Sequence, residues 1–141
     1  MPRVTVCVTC YNHEAYIGQC LDSVLAQQSD AELEILVGDD GSTDATRAII
    51  SQRAAEAPGV VVPVFREENL GASGNMQALV ARASGDFIAW LDGDDYWLPG
   101  KLQRQLDLLA SNPAAVAVYS NARVVTPDGE QTGVFNRAVP P

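Results

Sequence analysis

Three short apolar runs in this chain are each followed at once by a polar cluster. The clusters occupy residues 9–12, 39–44 and 92–95, and the second and third contain glycine. Segments with helical spacing separate the runs. Strands that alternate with helices predict an α/β fold, a mostly parallel sheet with helices on both faces. Because the carboxyl ends of parallel strands meet at one edge of a sheet, the pattern predicts that the three clusters converge on one ligand.

Apolar periodicity locates the individual elements. Residues 4–9 are rich in valine and threonine and predict a strand covered on both faces, and residues 87–91 predict a second buried strand with Trp90 in the core. Asn12 is a candidate cap for the first helix. The remaining predicted elements are strands 33–37, 60–65 and 115–119 and helices 14–28, 44–55, 76–84 and 99–111.

The end of the chain has a weaker pattern. Pro127, Asp128 and Gly129 signal a turn between two short valine-bearing segments, which predicts either a hairpin or an extended arm. We therefore expect a main domain over residues 1–121 and a tail over residues 122–141.

Composition excludes several classes of partner. The 141 residues suffice for one domain with a real core, and the formal net charge of -9 comes with scattered basic residues. The sequence therefore predicts no binding of nucleic acid or of an anionic membrane, and a phosphate-bearing ligand would need a bridging cation. We expect a cytoplasmic protein, with any membrane association made through regions outside this chain. The cysteines are expected to be small core residues rather than a metal or redox site.

The third cluster carries the most specific chemistry. Asp92 and Asp94 form a DxD pattern whose hard oxygen ligands suit one divalent cation, and Gly93 between them allows close approach of a ligand. Asp95 is expected to support the turn. Trp97 lies beyond the acids, where it could close over a ligand, whereas His13 is expected to be exposed and without a chemical role.

The spacing of residues in the sequence excludes several familiar kinds of binding or catalytic site. The sequence lacks GxGxxG after its first strand, and it lacks the GxxxxGK[ST] phosphate loop and the GxSxG nucleophile turn. Counting an EF-hand loop from Asp92 puts Trp97 where glycine is required and Gln103 where glutamate is required. A receiver-like domain would need its acids after strands one and three rather than after strands two and four.

Taken together, the motifs carry a family resemblance. The chain resembles a family 2 glycosyltransferase of the GT-A fold over nearly all of its length to about Tyr119. The resemblance is specific because the motifs occur in order. They are Thr9-Cys10-Tyr11-Asn12, Asp39-Asp40-Gly41-Ser42-Thr43-Asp44, Asn69-Leu70-Gly71, and Gly85-Asp86 with Asp92-Gly93-Asp94-Asp95.

The resemblance implies a role for each matching residue. Tyr11 would lie against the nucleotide base, and Asp40, with Asp39 beside it, would accept hydrogen bonds from base or ribose. Asp92 would hold ribose or metal-bound water, and Asp94 would coordinate Mg²⁺ or Mn²⁺ bridging the two phosphates. The full set implied to bind the nucleotide-sugar is Thr9, Tyr11, Asn12, Asp39, Asp40, Asn75, Asp92 and Gly93, and residues 1–121 become the nucleotide-diphosphate-sugar-binding domain. Donor and acceptor are expected to be a UDP-sugar and a saccharide or lipid-linked hydroxyl in polysaccharide biosynthesis.

Two departures from the family pattern limit this expectation. Gly74 stands where many relatives have an arginine, which leaves Arg66 or Lys101 as candidate phosphate contacts. An inverting transferase also needs a general base, which in this family lies well after the DxD motif. The later carboxylates, Asp107, Asp128 and Glu130, lie in no matching motif. We therefore expect the donor-binding part of a longer enzyme, inactive by itself.

Two alternatives stay open. The same edge could bind a nucleotide or metal in a non-catalytic regulatory or assembly module, and Asp39 with Asp40 could simply begin a helix. If the surface left by the missing half is apolar, it would favour self-association.

Overall fold

The structure is a computed structural model that describes residues 1–136 and 138. Its elements alternate between strand and helix until the last pair. They are β1 (Arg3–Cys10), α1 (Ile17–Leu25), β2 (Glu32–Asp39), α2 (Thr46–Glu56), β3 (Val61–Phe65), α3 (Gly71–Val80), β4 (Phe87–Asp92), α4 (Lys101–Ser111), β5 (Arg123–Val125) and β6 (Gln131–Val134). The contacts divide the chain into residues 1–103 and residues 104–141, and each unit is described by itself.

The first unit contains a four-stranded sheet in the order β3-β2-β1-β4. All three pairings are parallel, as the alternation of strands and helices predicts. The chain moves outward from β1 through β2 to β3 and then returns to place β4 on the other side of β1. Strand order therefore reverses between β1 and β4, and such a reversal opens a crevice at the carboxyl ends of the strands.

The centre of the sheet is covered on both faces. Every β1 residue from Val4 to Cys10 is buried, as its continuous run of valine and threonine predicts. Cys7, Leu36 and Val64 form one core cluster with two residues of α3, Met76 and Leu79. Since side chains alternate along a strand, the buried residues that flank them in β1 and β2 point to the opposite face. A right-handed crossover puts α1 and α2, which contact each other, on that face.

The first helix begins later than its apolar spacing predicts. It starts at Ile17, and among the described residues no side chain caps its N-terminus. The carbonyl of His13 instead accepts hydrogen bonds from the backbone N–H groups of Tyr16 and Ile17, which form a turn before the helix. Asn12 is therefore not the helix cap.

The prediction of a fully buried β4 is wrong. Trp90 is 64% exposed and Ile88 is 49% exposed. In the described part of the chain β4 pairs with β1 alone, so it is an edge strand. Its apolar composition indicates a strand that is suited to burial, but composition cannot supply the layer that covers it.

The second unit contains a hairpin and no strand at residues 115–119. β5 pairs with β6 in antiparallel fashion around the predicted turn, so of the two predicted conformations the hairpin is the one adopted. The apolar run at 115–119 is not in regular structure, and Val116 and Tyr119 are exposed. That predicted strand is wrong, because an apolar run extends as a strand only when a neighbouring strand pairs with it. Residues 137 and 139–141 of the predicted tail lie outside the described residues.

No helix within the described ranges combines the length and the apolar character needed to cross a lipid bilayer.

Candidate functional site

All three predicted clusters lie at the carboxyl edge, on the neighbouring strands β2, β1 and β4. Thr9 of β1 is in register with Asp92 of β4, and Cys10 is in register with Asp39 of β2. The Thr9 hydroxyl donates a hydrogen bond to Asp92 Oδ1 at 3.1 Å. Parallel register therefore brings residues 83 positions apart in sequence into direct contact.

Asp92 is held in one orientation. Its Oδ1 accepts a second hydrogen bond from Trp90 Nε1 at 3.1 Å, while the residue remains exposed. Asp94 is also exposed, and its carboxylate accepts no hydrogen bond from the described residues. Burial, followed by the charges of Asp94 and Asp92, raises the pKa of Asp95, and His13 acts in the opposite direction. This part of the edge therefore concentrates negative charge and favours a cation.

Gly93 has a structural reason to be glycine besides the one predicted from sequence. The residue is buried, and its N–H donates to the carbonyl of Thr9 at 2.8 Å. A Cβ at this position would lie 2.8 Å from Cys10 Cβ and 2.9 Å from His13 Nδ1. The turn between Asp92 and Asp94 thus packs directly on the end of β1.

Asp39, at the end of β2, is fully buried and accepts hydrogen bonds from two other residues. Its Oδ2 accepts hydrogen bonds from Arg47 Nε at 2.6 Å and from the N–H of Ser42 at 3.2 Å. Arg47 also donates to the carbonyl of Arg66 and lies 5.3 Å from the Phe65 ring. The other oxygen, Asp39 Oδ1, is buried without a partner among the described residues. A buried acceptor without a partner is rare enough to require an explanation.

Asp40 joins a second loop to this edge. It is 3% exposed, and its Oδ1 accepts a hydrogen bond from the N–H of Leu70 at 2.9 Å. Leu70 immediately precedes α3, so Asp40 fixes the start of that helix against the end of β2.

In the first cluster, one residue is exposed to a ligand and another holds two loops together. Tyr11 is 47% exposed at the edge and is available to a ligand. Asn12 has a backbone φ of +54°, and its side-chain oxygen accepts a hydrogen bond from the N–H of Thr43 at 2.8 Å. Asparagine tolerates this left-handed conformation better than most residues. Asn12 therefore joins the loop that follows β1 to the loop that follows β2, whether or not it also contacts a ligand.

Asn75 lies beneath the edge rather than on it. It is 1% exposed, and its amide donates to the carbonyl of Gly38 at 2.8 Å. Its Oδ1 accepts a hydrogen bond from Arg66 Nε at 3.2 Å, and Arg66 Nη2 is buried without a partner among the described residues. The structure thus connects Asn75 with Arg66, one of the two cations that the sequence offered as a phosphate contact.

Two expectations for neighbouring residues, Trp97 and His13, need correction. Trp97 is only 5% exposed and packs under Lys101, whose Nζ lies 4.5 Å from its ring, so Trp97 does not lie open to a ligand. Burial lowers the pKa of Lys101. His13 is half-buried rather than exposed, and its Nδ1 has no partner among the described residues.

The acids fit a hard divalent cation that is shared with a ligand. No group of three or more His, Cys, Asp or Glu side chains in residues 1–136 and 138 is arranged to hold a metal by itself. Mg²⁺ usually takes one or two carboxylates and completes its octahedron with water and substrate phosphates. The exposed pair Asp92 and Asp94 matches that donor set. Both residues are exposed to solvent, and hydrogen bonds from Thr9 and Trp90 orient Asp92.

Sequence reasoning missed the residues that hold the edge together. Glu14, Thr46 and Arg47 were not singled out, yet each bonds to a predicted cluster or to the loop beside it. One signal was available for Arg47. A basic residue in the first turn of a helix is unfavourable next to the helix dipole, which indicates a carboxylate partner nearby.

Comparison with known proteins gives a consistent answer. The family model described as "Glycosyl transferase family 2" matches residues 5–136. The putative teichuronic acid biosynthesis glycosyltransferase TuaG of Bacillus subtilis is 34% identical over 137 residues, which cover 97% of this chain and 53% of that protein.

Solved structures agree on the architecture. TarS 1–349 of S. aureus superposes with a TM-score of 0.70 at 24% identity, covering 88% of this chain and 42% of that one. The mannosyltransferase PcManGT of Pyrobaculum calidifontis, solved with GDP-Man and Mn²⁺, superposes with a TM-score of 0.65 at 28% identity, covering 90% of this chain and 36% of that one. The chain spans about a third to a half of the length of these three proteins.

The resemblance drawn from the motifs is confirmed, and so is the GT-A architecture expected from it. Since the family model spans nearly the whole sequence, including all three edge clusters, the chain belongs to glycosyl transferase family 2.

Proposed function

We propose that this chain is the donor-binding part of an inverting, metal-dependent glycosyltransferase, which transfers a sugar from a nucleoside diphosphate to an acceptor hydroxyl. The observation that carries the proposal is the convergence of Tyr11, Asp40 and the Asp92–Asp94 pair on one sheet edge in a family 2 chain. Ligands of open α/β sheets bind in this crevice.

The nucleoside would occupy the side of the edge formed by β1, β2 and β3. Tyr11 offers an exposed ring for stacking on a base. Asp39 Oδ1 and Arg66 Nη2 are a buried acceptor and a buried donor, both unpaired within the described chain, and the groups of a base or ribose would satisfy them. PcManGT, which is related to this chain, binds GDP-Man. We expect a UDP-sugar here, with GDP- and dTDP-sugars as the alternatives to compare.

The metal would be Mg²⁺ or Mn²⁺, held by Asp94 with Asp92. A bound divalent ion neutralises the charge that develops on a departing diphosphate. The residues of this chain supply the rest of the arrangement: Thr9 and Trp90 orient Asp92, and Gly93 packs the turn onto β1. The Mn²⁺ bound to PcManGT supports this choice of ion.

Transfer also requires a base and an acceptor site. Among the described residues after Asp95, the carboxylates Asp107, Asp128 and Glu130 are all exposed and match no family motif. We therefore expect the base, and the site for a saccharide or lipid-linked acceptor, in sequence beyond this chain. Measurable sugar transfer by the 141 residues alone would contradict this part of the proposal.

Calorimetry tests the proposal directly. UDP, GDP and dTDP are titrated into the protein with and without Mn²⁺, and at least one is expected to bind in a Mn²⁺-dependent manner. Asp94→Ala should weaken that binding by at least tenfold, since a metal ligand is lost. Asp30→Ala, which removes an exposed carboxylate just before the amino end of β2, opposite the carboxyl edge, should have no effect. Equal affinities for Asp94→Ala and the wild type in Mn²⁺ would rule out the assigned ligand. Metal-dependent binding by a longer parent protein that transfers no sugar would favour the non-catalytic alternative.

Self-association through β4 is a second proposal, supported by a separate observation. Ile88 and Trp90 lie on one face of this edge strand and are largely exposed, which makes β4 a template for another strand. A second copy of the chain would pair there, and the net charge of -9 would make pairing stronger at high salt. Sedimentation should show a concentration-dependent dimer that Ile88→Lys abolishes and Val80→Lys, a matched change on α3, preserves. A monomer at every concentration would exclude it.

A further inference from the structure

Two loops at the carboxyl edge are joined by hydrogen bonds that the family motifs do not explain. Backbone N–H groups of three consecutive residues, Asn12, His13 and Glu14, each donate to a side chain of the other loop. The acceptors are Ser42 Oγ at 2.9 Å, Thr46 Oγ1 at 2.9 Å and Asp44 Oδ2 at 3.1 Å.

The second loop is bonded back to the first. Asn12 Oδ1 accepts from the N–H of Thr43 at 2.8 Å, and Glu14 Oε2 accepts from the N–H of Ala45 at 2.9 Å. We call these five hydrogen bonds between residues 12–14 and residues 42–46 the loop bridge. Each loop thus uses side-chain acceptors to satisfy backbone donors of the other.

The loop bridge has a cost that its local role does not explain. Asn12 is the only non-glycine residue with positive φ in the described chain, and a left-handed conformation at a residue with a side chain persists only where its surroundings favour it. Asp44 already accepts, through its other oxygen, a hydrogen bond from the N–H of Thr46, the first residue of α2, at 2.9 Å. The bond from the N–H of Glu14 to Asp44 is therefore additional to this local turn.

The position of the loop bridge indicates what it does. Tyr11 immediately precedes Asn12, and Asp40 lies two residues before Ser42. The proposed base contact from β1 and the proposed base or ribose contact from β2 are therefore held at a fixed separation by it. None of the five bonds of the bridge involves Asp92 or Asp94 on β4.

We propose that Asn12, Glu14 and Asp44 are positioning residues for nucleoside recognition, acting through the loop bridge on the placement of Tyr11 against Asp40. The inference rests on the proposed function, because it requires that a nucleoside diphosphate binds at this edge. It separates two parts of that ligand: the nucleoside depends on the bridge, whereas the diphosphate and its cation, which engage the acids of β4, do not.

Three variants test the bridge. Glu14→Ala and Asp44→Ala each remove a charged acceptor from a backbone N–H, and each should weaken binding of UDP with Mn²⁺ by about tenfold. Glu14→Gln keeps one acceptor oxygen and should stay within about twofold of wild type. The matched control is Asp22→Asn, which breaks the Asp22–Arg53 ion pair joining α1 to α2 but leaves the loops untouched, and it should bind normally.

The deciding comparison uses inorganic pyrophosphate with Mn²⁺ in the same calorimeter. Its affinity should be unchanged in Glu14→Ala and Asp44→Ala, although that of UDP falls. Equal losses for both ligands would mean that the variants damage the whole edge, and no loss for UDP would mean that the bridge does not position the base contact. Either result overturns the inference.

Hydrogen exchange of the wild type gives a test that needs no ligand. The amides of Asn12, Glu14, Thr43 and Ala45 should be protected and should become fast in Glu14→Ala or Asp44→Ala. Fast exchange of all four in the wild type would overturn the bridge even if UDP bound well. Absence of UDP, GDP and dTDP binding, with these amides protected, would instead refute the proposed function and leave the bridge without this role.

Discussion

The hydroxyl of Thr9 donates a hydrogen bond to Asp92 Oδ1 across the β1–β4 pairing, with the two atoms 3.1 Å apart. Trp90 donates to the same oxygen, so the proposed metal and ribose ligand is oriented by one residue of the neighbouring strand and by one of its own. Both hydrogen bonds go to Oδ1, and no hydrogen bond from the described residues goes to the second oxygen of Asp92.

Thr9→Val should therefore weaken metal-dependent binding without unfolding the protein. Valine keeps the branched shape of threonine but loses the donor, and one hydrogen bond contributes about 1 kcal/mol, or roughly fivefold in affinity. Calorimetry with UDP and Mn²⁺ measures the change, and Thr132→Val, on β6, serves as a control. Wild-type affinity in Thr9→Val would mean that Asp92 needs no orientation from β1.

Gly38→Ala should destabilise the fold. A Cβ on Gly38 would lie 2.3 Å from Asn75 Oδ1 and 3.0 Å from Leu79 Cδ1, so α3 would have to shift, at a cost of about 1–3 kcal/mol. Urea unfolding measures the loss in the free energy of unfolding. Gly133→Ala, where a Cβ meets nothing within 4 Å, should change it by less than about 0.5 kcal/mol. Similar stabilities for the two variants would contradict the close packing of Asn75 on β2.

Stability should fall with acid partly through Glu34. Burial acts to raise the pKa of this carboxyl, but hydrogen bonds from Thr5 and Ser84 and the charge of Arg3 outweigh it and hold the pKa below the ordinary glutamate value of 4.5. A carboxyl whose pKa is lower in the folded state stabilises the protein above its unfolded pKa, and this contribution disappears as pH falls through the folded pKa.

Urea unfolding across pH 7 to pH 3 checks the sign. Wild type should be more stable than Glu34→Gln at pH 7, and the difference should shrink below about pH 4.5. Some acid sensitivity should remain in the variant, because hydrogen bonds also hold the pKa of Asp44 low, although its slight burial acts to raise it. A difference that grows with acid would contradict the assignment.

The three cysteines should be inert in the folded protein. Burial, with smaller contributions from nearby carboxylates, raises the pKa of Cys7 to about 11 and that of Cys10 to about 12, and it raises the pKa of Cys20 as well. Since the thiolate is the reactive form, iodoacetamide at pH 8 should label none of them, and mass spectrometry should count three labels after unfolding in urea. Rapid labelling of native Cys10 would show that the carboxyl end of β1 opens.

The order of strands and helices could be predicted because it depends on local patterns. The strand at 4–9 and the helical spacing after it identify themselves by side-chain type and period. The edge clusters followed from the same reasoning, since acids and glycine directly after an apolar run cannot extend a strand. The pairing of Glu14 with Ala45 could not be predicted, because nothing in either segment encodes the separation between two loops that meet only after β1 and β2 have paired.

Sequence reasoning predicted the burial of Trp90 and of Trp97 wrongly, and the two errors are opposite. Both are large apolar residues near the acids, and sequence reasoning put the first in the core and the second at the ligand. The structure leaves Trp90 64% exposed on an edge strand and leaves Trp97 5% exposed beside Lys101. Burial depends on which elements cover a residue, and that is a property of strand order rather than of the residue.

The sequence by itself determined the α/β alternation, the parallel sheet and the family, because hydrophobic period and motif order are carried by neighbouring residues. Tertiary structure alone decided how the acids divide: Asp92 is oriented by Thr9 and left at the surface, whereas Asp39 is buried against Arg47. The physical reason is that hydrogen-bond partners from distant segments, set by strand register, fix where each carboxylate points.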